Sequence, residues 1–141
     1  MENLIKIESL KKIIQQGDAE ELNNYAEELG RIFITEKEVI EERGQQRRTK
    51  KEKQLSTSQI RNILDEIQRI STKDFQEVKN KLHLLRPKLA YAAGRHKGRV
   101  KDFRDVVEEA IKLITEPEHF KNFRNFVEAI VAYHRYYGGK D

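Results

Sequence analysis

Residues 55–85 read LSTSQIRNILDEIQRISTKDFQEVKNKLHLL. Ile60, Ile63, Leu64, Ile67 and Ile70 recur at i, i+3, i+4, i+7 and i+10, the spacing of one face of an α-helix. Ser56 or Thr57 stands where a helix cap is expected, because its hydroxyl can accept an otherwise unpaired amide of the first turn. Ser71 or Thr72 restarts the chain, and Phe75, Val78, Leu82 and Leu85 carry a second apolar stripe. Pro87 disfavours helical geometry at Arg86, so that stripe should end there. Two successive helical stripes without an alternating apolar segment between them make the class helical.

Working downstream, a short helix from Pro87 to about Ala93 is expected, with Leu89, Ala90 and Tyr91, before Gly94 and Gly98 bracket a basic loop. Val100 to Thr115 forms the next helix through Phe103, Val106, Val107, Ala110, Leu113 and Ile114. Pro117 suits the first turn of the last helix, which aligns Phe120, Phe123, Val127, Ile130, His134 and Tyr137, with Phe126 and Tyr133 on its flank. Upstream, Leu4, Ile7, Leu10, Ile13 and Ile14 form a stripe ending at Gly17, and Asp18 with Glu21 has the form of a capping box before Leu22, Tyr25, Ala26 and Leu29. Residues 31–42 are read as more helix, although Ile32, Ile34, Thr35, Val39 and Ile40 are β-branched. Residues 43–54, RGQQRRTKKEKQ, hold six Lys/Arg, one acid and no apolar side chain. They read as a basic linker, either a solvated linker or frayed helix end, or an electrostatic arm that folds on contact along a phosphate backbone. The expected fold is all-α: a compact helical bundle of about five helices after Leu55, with extra N-terminal helices. The chain divides into acidic helices (1–42), basic linker (43–54) and bundle (55–141).

Composition agrees with this division. Of 141 residues, 37% are charged, and 7 Gly with 2 Pro cannot supply the turns of an all-β domain. No apolar run is long enough to span a bilayer, and the first 16 residues do not have the form of a secretory signal. With 0 Cys, disulfides, thiolate metal sites and cysteine nucleophiles are excluded, so a cytoplasmic location is expected. The net charge of +4 conceals a separation. Residues 1–42 carry 5 Lys/Arg and 11 Asp/Glu, a balance of −6, and residues 43–141 carry 23 and 13, a balance of +10. The basic part suits a polyanionic partner.

The densest basic run is LRPKLAYAAGRHKGRVKDFR (85–104), with seven Lys/Arg against Asp102. Apolar residues interleaved through it should fix its charges on the bundle, and its glycines permit close backbone approach, as a nucleic-acid groove requires. A plain solvated helix face is the alternative. Tyr133, Tyr136 and Tyr137 near Arg135 and Lys140 suit either a core edge or a platform for stacked bases. His83, His96, His119 and His134 lie in different segments without catalytic or metal-ligand spacing, and there is no glycine-rich phosphate loop. His134, on an apolar stripe, reads as a satisfied helix histidine, and Asp65 and Glu66 read as helix-surface partners of Arg61 and Arg69. No catalytic residues, metal or cofactor are expected.

The strings SQIRNILDEIQRI (58–70), LRPKLAYAAGRH (85–96) and FVEAIVAYHRYYGGKD (126–141) resemble the small subunit of the type III-A CRISPR effector, the Csm complex. The resemblance covers roughly residues 55–141 and assigns nothing to residues 1–54. It implies a non-catalytic all-α subunit present in several stacked copies, lining the channel where target RNA pairs with CRISPR RNA, beside other Csm subunits that carry the chemistry. By that analogy Lys88, Arg95 and Arg99 contact RNA phosphates, followed by Arg61 and Arg135, then Arg86 and Lys97. The apolar stripes of residues 4–14 and 22–29 either add to the bundle or form a separate layer, and if left exposed they predict self-association, a dimer in isolation. A competing expectation is a helical assembly protein whose basic face meets acidic protein partners, the acidic N-terminal helices being one candidate.

Overall fold

A computed structural model describes residues 3–140. Two helices, α1 (Ile7–Ile14) and α2 (Ala19–Phe33), lead into a hairpin of β1 (Lys37–Arg43) and β2 (Gln46–Glu52). Four helices follow: α3 (Thr57–Gln68), α4 (Phe75–His96), α5 (Arg99–Lys112) and α6 (Pro117–Tyr136). The protein is therefore mostly helical but not strictly all-α.

The hairpin corrects two expectations at once, the helix at 31–42 and the structureless linker at 43–54. α2 stops at Phe33, and the β-branched residues beyond it enter a strand. The connection is the two-residue loop Gly44–Gln45, with Gly44 at φ +62°, a left-handed conformation that glycine adopts without strain. Register then places opposite charges across the ladder: Lys37 opposite Glu52, Glu38 opposite Lys51, Glu41 opposite Arg48 and Glu42 opposite Arg47. Such pairs contribute roughly 0.2–1 kcal/mol each, enough to bias a ribbon that buries no residue of its own.

A second correction concerns Pro87, which lies inside α4 rather than starting a new helix, so four helices follow Leu55 instead of five. Leu82, Leu85, Leu89 and Ala93 form one unbroken buried stripe through this point, while Pro87 faces solvent. Proline in a helix interior costs about 3 kcal/mol. Several buried side chains at roughly 1.5–3 kcal/mol apiece outweigh that.

One continuous core joins the N-terminal helices to the rest. Leu10, Ile13, Ile14, Tyr25, Leu29 and Phe33 pack in the same cluster as Phe103, Phe120, Phe123, Phe126 and Ile130. α2 and α6 meet closely at Gly30, where a Cβ would stand 2.6 Å from the Tyr133 Cβ. Asp18 caps α2 by accepting from the Glu21 amide at 3.0 Å, but the Glu21 carboxylate takes the Ser9 hydroxyl (2.6 Å), so the reciprocal half of the expected box is absent. Ser56 completes a full capping box with Gln59 at the start of α3. Tyr25 of α2 fastens the segment before α1, accepting from the Lys6 amide and donating to the Leu4 carbonyl; burial pushes its phenol up to about 12.

Candidate nucleic-acid interface

The base of the hairpin is fastened to the junction of α4 and α5. Lys97 and Gly98 both adopt positive φ (56° and 62°), turning the chain sharply enough for α5 to begin beside β2. A Cβ at Gly98 would lie 2.4 Å from the Lys53 carbonyl oxygen, so only glycine fits. The Arg99 amide donates to that same carbonyl at 3.1 Å. The Arg99 guanidinium donates to the Thr35 carbonyl (3.2 Å), the Thr35 hydroxyl (3.0 Å) and Asp102 (3.0 Å), and Lys37 reaches the other Asp102 oxygen at 2.7 Å.

This arrangement opens a groove of about 590 Å³ between the end of β2, the start of α3 and the end of α4. Lys50, Lys51, Lys53, Arg95, Lys97 and Lys140 line it, against Glu36 and Glu52. None of the six cations has an ion-pair partner among the described residues. Lys140 is brought in by the C-terminal turn: its carbonyl accepts from the Thr57 amide at 2.8 Å, tying the end of the chain to the start of α3.

The residues singled out from the sequence separate into distinct groups. Arg95 and Lys97 are exposed in the groove. Lys88 lies two turns earlier on the exposed face of α4, in a 3.4 Å pair with Glu66 that solvent weakens. Arg61 is exposed on α3, and Arg135 is exposed in the last turn of α6, donating to the Gly139 carbonyl at 3.4 Å. Arg99 is 4% exposed and committed to the foot of the hairpin, so it is a structural tie and is withdrawn from the phosphate contacts. Arg86 is committed too. Its Nε donates to Glu108 at 2.8 Å, and this bond to the carboxylate raises the arginine pKa further. Burial alone would raise the Glu108 carboxyl, but Arg86, together with Arg104 and Lys112, holds it below the usual range.

Lys50, Lys51, Lys53 and Lys140 were not singled out individually as RNA contacts in the sequence. The first three lie in the segment read as a linker, and only its folding into β2 places them opposite Arg95. Two other expectations also shift. Glu66 pairs with Lys88 on α4 rather than within α3. Tyr133 is half-buried and donates to the Asn23 side chain, which makes it part of the α2–α6 seam.

His134 is fully buried, with Nε2 2.6 Å from the Leu55 carbonyl, and burial lowers its pKa. Among the described residues, no cluster of His, Asp or Glu has the geometry to hold a metal, and no helix is long and apolar enough to cross a membrane.

Comparison with known proteins gives a family match. A family model described as Csm2 Type III-A matches residues 35–140, from the foot of the hairpin to the C-terminal turn. A curated protein of Streptococcus thermophilus, named as CRISPR system Cms protein Csm2, is 39% identical over 93 residues. The aligned region is 62% of this chain and 76% of the relative. No solved structure matches. The family match begins twenty residues before Leu55, so the hairpin belongs to the matched region and only α1 and α2 lie outside it.

Proposed function

The chain belongs to the Csm2 family of type III-A CRISPR effector subunits, and from that membership we propose a non-catalytic, architectural role in which it holds RNA by the backbone. Other Csm subunits and CRISPR RNA are its partners as a member of that complex. In this reading the target strand or the CRISPR RNA lies in the groove at the hairpin base, with its phosphates against Arg95, Lys97, Lys50, Lys51, Lys53 and Lys140. Lys88 extends the track along α4, and Arg61 and Arg135 are outlying cations. The observation that carries the proposal is the gathering of six cations without ion-pair partners among the described residues, from three parts of the chain, around one groove.

Base pairing carries the sequence information in an RNA-guided complex, so backbone contact is all this subunit needs to supply. Copies stacked side by side would add their contacts at high effective concentration, which lets each copy bind weakly alone.

The test is charge reversal within the groove, Arg95→Glu with Lys97→Glu, in the reconstituted complex. Both residues are exposed and outside the core, so assembly should remain normal. The expected result is at least a tenfold loss of target-RNA affinity. Unchanged affinity with impaired assembly would favour the other reading, that the basic face meets an acidic protein surface.

A further inference from the structure

The groove leaves one bare aromatic ring unaccounted for. Tyr91 is 69% exposed on the outer face of α4, with no hydrogen-bond, ring or cation partner among the described residues. Its neighbours one turn away on the same helix face are Pro87, Lys88, Gly94 and Arg95. Nothing lies within 4 Å of a Cβ built on Gly94, so the space beside the ring is open. Lys88 and Arg95, both exposed, stand on opposite sides of it along the helix, about 4.5 and 6 Å away in axial rise. A flat ring bracketed by two cations matches the chemistry of a nucleotide: a base for the ring and a phosphate for each charge.

We propose that Tyr91 is a base-stacking residue for an unpaired nucleotide whose flanking phosphates lie on Lys88 and Arg95. The inference rests on the reading of the basic groove as an RNA surface and deepens it, because it specifies the state of the RNA. A paired base inside a duplex has both faces covered by its neighbours, whereas a single-stranded or splayed base offers a face to the ring. The cations on both sides of the ring favour a polyanion over a purely apolar protein face. The other tyrosines are less suited. Tyr133 is half-buried, and Tyr136, although exposed, meets Tyr137 edge to face at 5.0 Å.

The test measures binding of the full-length chain to single-stranded oligoadenylate and to an RNA duplex of the same length. Tyr91→Ala, at an exposed position, should weaken single-strand binding roughly five- to a hundredfold and leave duplex binding unchanged, while Tyr91→Phe retains both. Single-strand affinity unchanged in Tyr91→Ala would overturn the proposal. So would a loss confined to self-association, which would assign the ring to a protein contact. Lys88→Glu with Arg95→Glu separates the two levels of the reading. If charge reversal weakens both RNAs but Tyr91→Ala weakens neither, stacking alone fails. If charge reversal has no effect, the groove reading itself fails.

Discussion

His134 ties three segments together: its ring bonds the Leu55 carbonyl at the start of the α3 region, sits on α6, and is covered by Gly139 of the C-terminal turn. A Cβ at Gly139 would fall 2.1 Å from the ring, so the turn closes only with glycine there. Burial, with Arg135 adding to it, favours the neutral imidazole, although the bond to Leu55 opposes the shift. The folded state therefore binds a proton at lower pH than the unfolded chain, whose histidine titrates near 6.5. The stability this residue supplies is complete above that value and is lost as pH falls below it, by up to about 1.4 kcal/mol per pH unit. Urea unfolding between pH 7.5 and 5 should show this slope, and His134→Gln should flatten it. An identical slope in the variant would place the pH dependence elsewhere. At this scale the sequence was partly legible: an apolar stripe marked His134 as core. Arg99 was read as a phosphate contact because most charges near it in sequence are basic, while the Thr35 carbonyl and hydroxyl that share its guanidinium with the nearby Asp102 lie 64 residues away.

The hairpin is the element that sequence periodicity concealed. β2 reads QRRTKKE, with no apolar residue to alternate, and β1 offers only Val39 and Ile40 on opposite faces. Its signal lay in long-range complementarity, acids at 38, 41 and 42 opposite bases at 51, 48 and 47, and in Gly44 at the turn. The helices, by contrast, were legible because each buries its own stripe; the exception, Pro87, was overridden by the apolar residues on both sides of it. Since the ribbon buries no residue, it should contribute little to the stability of the bundle. Replacing residues 39–50 with a short Gly-Ser turn, leaving Lys37 and Lys53 in place, should keep the free energy of urea unfolding within about 1 kcal/mol of the parent. A large loss of stability would mean that the hairpin is part of the folding unit and more than an arm on its surface.

For the whole molecule, the charge division of −6 and +10 has its boundary between Glu42 and Arg43, beside the hairpin turn. The two halves are thus brought face to face in one ribbon, where acids of β1 oppose bases of β2. At the foot of β2, Lys50 and Lys53 have no acid opposite them and Lys51, although opposite Glu38, makes no ion pair among the described residues, so the three join Arg95, Lys97 and Lys140 across the groove. Release of counterions from RNA should follow that surplus rather than the total charge. If one copy neutralises about five phosphates of a single strand, the logarithm of affinity falls with the logarithm of salt at a slope of about −3.5, roughly a hundredfold between 50 and 200 mM. Changing Lys50, Lys51 and Lys53 to Gln should reduce that slope by about 2, whereas changing Arg86, already held by Glu108, should leave it unaltered. A slope insensitive to the three lysines but reduced by Arg86 would move the RNA path from the hairpin groove to the opposite side of α4, where α4 meets α5.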